Sequence, residues 1–515
     1  MINRRLFGTA GNTALQPTDT RNEAGAPASA LSPKQTLAQL AMTGCLNSTF
    51  YSDAESQLDA LLAACFDVDS AFVARTAVHA RRHGRMKDTP ALLCAYLASF
   101  NGELLQAIFP RVIDSGRMLR AFVQILRSGR VVRRSLGSLP KRLVQDWLNT
   151  CSDAEFIRAM VGQQPSIADV IRMVHPKPLT RERETLFAYA LARPYLPERL
   201  PPALQAFEAF KRDASQPVPD LPFQLLTGLP LSPAHWKAIA LQCSWTTLRM
   251  NLNTFQRHGV FEEGHVANRL AKRLADPALI RRAGAFPYQL LAAQRAATQL
   301  PPRLQQALGE ALQSSVRAVP ALPGSLALAV DVSGSMQSPV TGHRRGATTS
   351  VRCVDVAALF AAALLARNPK AQVLPFAEAV RPWRATGGDL RQVTESLSAL
   401  LGGGTAISAP LARLAAQREP PDLVVLFSDN QSWLDARRPD GTEALAQWQT
   451  LKRRNPAARL VCVDLQPYAN SQLPERADVL NVGGFSDAVF ERIAEFARGE
   501  GGADHWVERI EAETL

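Results

Sequence analysis

The sequence predicts two structural units: an irregular array of helical repeats, followed by an α/β domain with a doubly wound parallel sheet. The first prediction rests on apolar residues that recur at intervals of three and four across residues 33–322, between short loops rich in Pro, Gly and Ser. The second rests on short apolar runs that alternate with helical patterns across residues 323–515, as in buried parallel strands joined by helices. A chain of 515 residues is long enough for both cores.

The segment before the array, residues 1–32, is expected to be a flexible leader. Its Thr, Asn, Ala and Pro content includes no continuous apolar stretch that could act as a signal peptide. Charged residues make up 20% of the chain and hydrophobic residues 46%, a composition typical of soluble globular proteins, and no run reaches the apolar length of a membrane span. We therefore expect a cytoplasmic protein that does not associate with membranes.

The array is predicted to be a divergent solenoid of paired helices, because helix follows helix with almost no strand signal and no strict repeat period. Its candidate helices span residues 57–65, 71–83, 90–99, 118–128, 140–149, 167–173, 184–192, 204–212, 233–242, 265–275 and 303–318. The α/β domain is predicted to have strands at residues 326–330, 373–376, 423–427 and 460–463, with helices at 354–366 and 487–497.

Five oxygen-bearing side chains follow two of these strands and one glycine-rich turn, and they predict a divalent-cation site. Mg²⁺ prefers oxygen ligands in near-octahedral geometry, and in doubly wound sheets ligands bind beyond the carboxyl ends of the strands. The two Ser hydroxyls can reach such an ion directly, the two carboxylates can hold coordinated waters, and the Thr would complete or gate the shell. One position stays open for a carboxylate or phosphate oxygen. The predicted ligands are Asp331, Ser333, Ser335, Thr405 and Asp429.

An ordinary turn is the alternative interpretation of Asp331-Val-Ser333-Gly-Ser335, because Ser and Asp are common turn residues. Two later motifs favour the metal site over that interpretation. They are Gly402-Gly-Gly-Thr405 and Phe427-Ser-Asp429, which supply the missing ligands at suitable distances along the chain.

The excess of positive over negative charge lies entirely in the first part of the chain. Residues 324–515 carry 20 Lys and Arg against 22 Asp and Glu, whereas residues 1–323 carry 38 against 24. The excess is greatest between Arg75 and Arg142, where 14 basic residues face three acidic ones. A solvated face is the ordinary interpretation of a charge run, but so lopsided a run would repel itself and favours a polyanionic partner, with nucleic acid first and an acidic membrane surface second.

The sequence lacks the usual motifs of catalysis and of disulfide or zinc chemistry. The seven cysteines include no Cys-x-x-Cys pair and are expected to be buried free thiols. No His-Glu-x-x-His, Gly-x-Ser-x-Gly or phosphate-binding Gly-Lys-Ser/Thr motif occurs. We therefore expect a protein without enzymatic activity.

The motifs of both units resemble those of known families. The metal motif resembles the metal-ion-dependent adhesion site of von Willebrand factor A domains. Landmarks of the array resemble the TROVE module, which is shared by telomerase-associated proteins, the Ro autoantigen and vault components. A TROVE module followed directly by an A domain is the layout of the Ro ribonucleoprotein family, including its bacterial relatives. The TROVE-like landmarks are Lys141-Arg142 before Trp147 and the segments 167–178, 248–253 and 286–291.

This resemblance implies a ring of HEAT-like repeats closed by the A domain. It also implies that small noncoding Y RNAs bind the basic outer surface and that single-stranded 3′ ends of misfolded RNAs enter a central hole. An exoribonuclease such as polynucleotide phosphorylase is the implied protein partner, and we expect a monomer. By matching the family's motifs and the basic run, we predict RNA contacts from Arg117, Arg120, Arg127, Arg130, Arg133, Arg134, Lys141, Arg142, His175 and Lys177.

Two other functions fit parts of the sequence. In one, the metal captures an acidic side chain of a partner protein and the helices act as a scaffold without direct RNA binding; the basic run argues against it. The other is a metal-dependent nuclease, which two carboxylates alone, Asp331 and Asp429, disfavour because two-metal sites need more.

Overall fold

The computed structural model describes most of the chain, and the described residues form 24 α-helices and eight strands. The elements from Pro33 to Ser315 are helices, and helices and strands alternate after them. The residues that the structure describes are 16–44, 46–316, 319–343, 351–385, 389–400, 402–434, 441–486, 488–500, 502–504 and 506–515.

The array consists of 18 helices among the described residues. They are α1 (Pro33–Thr43), α2 (Ala54–Phe66), α3 (Ser70–Arg82), α4 (Asp88–Phe100), α5 (Gly102–Val112), α6 (Gly116–Arg127), α7 (Ser138–Thr150), α8 (Asp153–Ala159), α9 (Ile167–Val174), α10 (Arg181–Ala190), α11 (Pro202–Arg212), α12 (Pro233–Gln242), α13 (Trp245–Met250), α14 (Leu252–Arg257), α15 (Gly264–Leu274), α16 (Pro277–Ala283), α17 (Pro287–Ala296) and α18 (Pro302–Ser315).

Local sequence explains where many of these helices begin. Ser32, Ser152, Ser166 and Ser232 form capping boxes at α1, α8, α9 and α12, in which the Ser hydroxyl accepts from a backbone N–H of the first turn. Pro occupies the first helical position of α1, α12, α16, α17 and α18, where its missing N–H costs no hydrogen bond.

The α/β domain has a five-stranded parallel sheet in the order β4–β3–β5–β6–β8. Its strands are β3 (Leu326–Asp331), β4 (Gln372–Phe376), β5 (Leu423–Ser428), β6 (Arg459–Asp464) and β8 (Val479–Gly483). Its helices are α19 (Cys353–Arg367), α20 (Leu390–Ser398), α21 (Ser408–Ala415), α22 (Glu443–Arg454), α23 (Ala488–Arg498) and α24 (Val507–Glu511).

Helices cover both faces of this sheet, because successive side chains of each strand point to opposite sides. Leu328 and Val330 share a core with α19, α23 and the helical array, whereas Ala327 and Ala329 pack with α21 and α22. Sheets buried on both faces read as continuous apolar runs, which is why β3, β5 and β6 could be predicted from the sequence.

Both ends of the array contact the α/β domain, so the array closes into a ring. At one end α1 packs against β8 and α3 against α24; at the other end α17 packs against α19. Arg295 of α17 forms an ion pair of 2.5 Å with the buried Asp355 of α19. Arg85, in the connection from α3 to α4, donates to the carbonyl of Gly284 at 2.8 Å and so joins early and late helices.

The second half of the predicted leader differs from expectation. Residues 1–15 lie outside the described part, but β1 (Thr20–Arg21) and β2 (Pro27–Ala30) form an antiparallel pair, and β2 continues onto β7 (Asn470–Ser471) of the α/β domain. The Asn22 amide also donates to the Ser432 carbonyl at 2.8 Å. Backbone pairing of this kind needs little apolar side-chain pattern, so it could not be predicted from the sequence.

The other structural expectations have mixed outcomes. The fold class, a helical-repeat ring followed by a doubly wound domain, is confirmed. Of the six described cysteines, five are buried and Cys243 is partly exposed, and all six are free thiols; Cys45 lies outside the described residues. Among the described helices, none has both the length and the apolar character that a bilayer span requires.

Candidate metal site and nucleic-acid interface

The predicted metal ligands meet at the carboxyl ends of β3 and β5. These two strands are parallel neighbours. The chain passes from β3 to β4 on one side of β3 and then to β5 on the other side of β3. Strands β3 and β5 therefore flank the switch point of the sheet. Asp331 is the last residue of β3 and Asp429 follows β5. The Ser428 hydroxyl, at the end of β5, donates to Asp331 Oδ2 at 2.6 Å and fixes that carboxylate.

The hydroxyl ligands lie on loops that are bonded to one another. The Ser333 amide donates to Asp331 Oδ1 at 2.9 Å, and the Ser333 and Ser335 hydroxyl oxygens are 3.3 Å apart. The glycine-rich turn before Thr405 joins this loop through two backbone bonds of 3.1 Å, from Gly334 to the Gly403 carbonyl and from Gly402 to the Val332 carbonyl. The structure therefore brings the loops of all five predicted ligands together.

Burial makes this cluster electrostatically unfavourable without a cation. All five ligand residues are at most 5% exposed. Burial, followed by the negative charge of Asp331, raises the pKa of Asp429 to about 7. Burial also raises the pKa of Asp331, although hydrogen bonds from Ser333 and Ser428 oppose that shift.

The donor set fits a hard divalent ion. Asp429 Oδ2 is buried and accepts no hydrogen bond from the described residues, and buried carboxylates without partners are costly. A cation beside that oxygen would satisfy it, and a donor set of carboxylate and hydroxyl oxygens matches the preference of Mg²⁺.

A third carboxylate at this site was missed in the sequence. Asp464, the last residue of β6, is buried, and burial together with the charge of Asp429 raises its pKa well above the usual value. Its Oδ1 accepts no hydrogen bond from the described residues, while Asn430 donates to its Oδ2 at 3.3 Å. The expectation of two carboxylates was therefore too low. An acidic residue at the end of a predicted strand, the same signal that identified Asp331, would have found it.

Residues of the helical array border the predicted metal site. Tyr51, between α1 and α2, lies close enough that the charge of Asp429 adds to burial in raising the pKa of this phenol to about 12. Nearby, the Tyr468 hydroxyl donates to Thr49 Oγ1 at 3.1 Å, and the His343 amide donates to the Ser48 carbonyl at 2.6 Å. The connection from α1 to α2 is thus bonded to loops around the predicted ligands.

Most predicted RNA-contacting residues fall on one connected surface built from α6, α7, α9 and their loops. Arg127, at the end of α6, contacts Met173 Sδ of α9 at 3.0 Å. Gln145, one turn after Lys141 in α7, donates to the Val174 carbonyl at 2.6 Å, and Asn149 donates to the Lys177 carbonyl at 3.0 Å. These bonds place the carboxyl-terminal half of α7 beside the His175–Lys177 segment. We call this region the α6–α7–α9 surface. The predicted contact residues that it exposes are Arg117, Arg127, Arg130, Arg134, Arg142, His175 and Lys177, with Arg120, Arg133 and Lys141 partly exposed.

His175 has a structural role in addition to its predicted contact with RNA. It ends α9 in the left-handed region with φ 49°, and its side chain is exposed. Pro140 lies in the first turn of α7, where proline is tolerated.

Several arginines of the basic run serve structural contacts instead. Three of these arginines surround Glu513, whose Oε1 also lies 3.2 Å from His79 Nδ1 and 3.1 Å from His83 Nε2. These contacts hold the segment after α24 against α3. The charge count of the run therefore overestimated the positive surface available to a partner. The pairs are Arg75, Arg82 and Arg111 with Glu513, Arg81 with Asp114, Arg85 with Gly284 and Arg130 with Glu55.

Fold and site together define a two-domain protein in which a helical-repeat ring is closed by a von Willebrand factor A domain. Residues 325–497 match the family model of the Ro60 vWA domain. The chain is 26% identical over 524 residues to the RNA-binding protein RO60 of Deinococcus radiodurans, a match that covers 94% of this chain and 96% of that protein. The crystal structure of the D. radiodurans Ro (RSR) protein superposes with a TM-score of 0.62 at 22% identity, covering 90% of this chain and all of the other, and it shows the same fold.

The chain is similar to Ro proteins over nearly its whole length, and residues 325–497 match the A domain of that family. The D. radiodurans relative is named an RNA-binding protein.

Proposed function

We propose that this protein binds small structured noncoding RNA of the Y type on the α6–α7–α9 surface and single-stranded ends of misfolded RNA in the hole of the ring, in RNA quality control or maturation. The observation that carries the proposal is the α6–α7–α9 surface itself. Among the described residues, Arg117, Arg134, Lys141, Arg142 and Lys177 have no carboxylate within ion-pair distance, so their charge is available to phosphates.

Phosphate contacts of this kind would recognise RNA by shape and charge more than by sequence. The grooves of an RNA helix display phosphates and 2′-hydroxyls, while single strands expose bases and a flexible backbone. Such binding weakens with salt, because each neutralised phosphate releases counterions.

The test is binding of a labelled RNA hairpin with a single-stranded 3′ tail at several salt concentrations. We expect Lys141→Gln/Arg142→Gln to weaken binding and to reduce the slope of log affinity against log salt by about 2, since each lost phosphate contact removes about one unit. Arg413→Gln/Arg418→Gln, which removes two exposed charges from the A domain, is the matched control and should leave the slope unchanged. Equal slopes for the two double variants would contradict the placement of RNA on this surface.

We propose that the oxygen site holds Mg²⁺ through Asp331, Ser333, Ser335, Thr405 and Asp429. Bound there, the ion would offset the charge of the buried carboxylates and fix the loops that carry them. The near-complete burial of these ligands counts against the adaptor alternative, because a partner's carboxylate would first have to displace the segment that contains Tyr51.

We propose no catalysis, because an ion in such a site would serve charge balance and loop geometry. Intact labelled RNA after incubation with protein and Mg²⁺ is the expected result. Cleavage that disappears in Asp331→Ala would overturn it and would favour the nuclease alternative, to which Asp464 now adds a carboxylate.

We also propose an exoribonuclease, such as polynucleotide phosphorylase, as the protein partner of a monomeric, cytoplasmic protein. The support for this is the family resemblance alone. Co-purification of a 3′-exonuclease with the tagged protein is the expected result. Loss of the exonuclease after ribonuclease treatment would show that RNA mediates the contact, and its retention would show a direct contact.

A further inference from the structure

Two exposed phenylalanine rings lie at the edge of the α6–α7–α9 surface, and the RNA contacts predicted above do not use them. Phe66 ends α2 and is 59% exposed; Phe100 ends α4 and is 43% exposed. Their ring centroids are 5.1 Å apart in an edge-to-face arrangement. We call them the aromatic pair. Neighbouring exposed aromatic rings on a soluble protein commonly mark a binding surface.

A rigid base holds the aromatic pair in place. Tyr96, which is buried, stacks on Phe100 with centroids 4.4 Å apart and meets Phe66 edge-on at 5.5 Å. Its hydroxyl donates to the Cys65 carbonyl at 3.1 Å, next to Phe66 in the chain. Because Tyr96 is fixed from behind, the two rings present a preorganised apolar surface.

Cationic residues flank this apolar surface. The loop 128–134, between α6 and α7, is bonded to the last turn of α4: Arg133 donates to the Ala98 carbonyl at 2.5 Å and Ser99 donates to the Val131 carbonyl at 2.7 Å. Arg134 in this loop is exposed and forms no ion pair among the described residues. Flat apolar rings therefore lie beside positive charge on one continuous surface.

This juxtaposition selects one kind of partner. An unpaired RNA strand carries flat bases that stack on aromatic rings and a phosphate chain that requires cations, whereas a duplex keeps its bases inside. A protein partner would explain exposed apolar rings but not the adjacent Arg134, which forms no ion pair in the described part of the chain and would prefer phosphate or carboxylate.

We infer that Phe66 and Phe100 form a stacking platform for unpaired bases of RNA held along the α6–α7–α9 surface. The inference rests on the proposed RNA-binding function and adds to it a means of distinguishing single strands from duplex. Stacking depends little on salt, so the platform and the arginines make separable contributions to binding.

The experiment compares a labelled single-stranded 12-nucleotide oligoadenylate with a blunt RNA duplex on the full chain. Phe66→Ala/Phe100→Ala is expected to bind the single strand about 5- to 100-fold more weakly, the range for loss of stacking on one base, with the salt slope and duplex affinity of the unchanged protein. Phe66→Tyr/Phe100→Tyr, which keeps both ring faces, should retain binding. Leu196→Ala/Met250→Ala, which removes two other exposed apolar side chains, is the matched control.

Phe100→Trp gives a direct readout that does not depend on removing a ring. Its fluorescence should be quenched by the single strand and unaffected by the duplex. Unchanged single-strand affinity of the alanine variant, an equal loss for both RNAs, or absent quenching would each overturn the platform while leaving the proposed function standing. Failure of the unchanged protein to bind the hairpin at any salt concentration would overturn both.

Discussion

The ion pair between Asp355 and Arg295 is predicted to hold the helical array closed on the A domain. Asp355 is 0% exposed and accepts from Arg295 at 2.5 Å and from Arg352 at 2.7 Å, while each arginine side chain is slightly more than a quarter exposed. Burial alone would raise the pKa of Asp355, but the bonds from Arg352 and Arg295 more than offset this and lower it. The charge is therefore stabilised by the fold.

Replacing Asp355 by Asn removes this charge and leaves both arginines without a carboxylate. Breaking a buried pair costs about 3–5 kcal/mol, and since the arginines retain access to water we expect about 2–4 kcal/mol of the free energy of unfolding to be lost. The A domain, of about 190 residues, is taken as the unfolding unit. For a unit of that size the loss corresponds to a decrease in Tm of about 5–12 °C. Arg295→Met should cost less, because Arg352 still pairs with the carboxylate.

The pH dependence has a defined sign. Since the pKa of Asp355 is lower in the folded than in the unfolded protein, its contribution is complete above the unfolded value of about 4 and is lost as pH falls through the folded value. The difference in Tm between the protein and Asp355→Asn should therefore be constant from pH 6 to 8 and shrink below about pH 4.

Thermal unfolding followed by circular dichroism measures these effects. Arg391→Met is the control, because its pair with Glu395 is exposed on both sides and should be worth under about 0.5 kcal/mol. A loss in Asp355→Asn no larger than in that control would refute the view that the interdomain pair contributes to closure.

Two further predictions concern the metal site and a buried histidine. Mg²⁺ should raise Tm of the unchanged protein, and Asp429→Asn, which removes one of the repelling charges, should abolish that increase; a response that survives would argue against Asp429 as a ligand. Burial, followed by the charge of His83, lowers the pKa of His79 to about 4. Between about pH 6.5 and 4 the unfolded chain therefore binds a proton that the folded chain does not. The free energy of unfolding should fall by up to about 3 kcal/mol as pH decreases across that range. Denaturant titrations should show this loss in the unchanged protein and in His265→Asn, whose side chain is 82% exposed, but not in His79→Asn.

The sequence was most informative for strands that are buried on both faces of the sheet and for predicted metal ligands that directly follow a strand. β3, β5 and β6 read as continuous apolar runs, and their carboxyl ends carried the signal for Asp331 and Asp429 because parallel strands end at one edge of the sheet. Strand β8 was missed, since Val479–Gly483 contains Asn481, whose side chain is bonded within the domain rather than packed apolar.

Long-range pairing could not be predicted from local pattern. Helix α5 has a helical period of apolar residues but contains Pro110, which argues against a helix in the sequence, and the short α13 and α14 have too few residues to show a period. The same holds for the charge run. Arg75 bonds to Glu513 whereas Arg142 faces solvent, and no local feature reports a partner 438 residues away. The aromatic pair was missed for a related reason, because two isolated Phe residues acquire meaning only when α2 and α4 end side by side.

The docking of the segment after α24 onto α3 also bears on how the nascent chain matures. Arg75 and Glu513 are separated by 438 residues, so at a translation rate of about 5–20 residues per second the ribosome completes the carboxyl-terminal element about 20–90 s after α3 emerges. During that interval the apolar faces of α1 and α3 lack the surfaces that later cover them. Chaperone binding to the nascent polypeptide is the expected consequence, and the ring can close only after the segment that follows α24 has been synthesised.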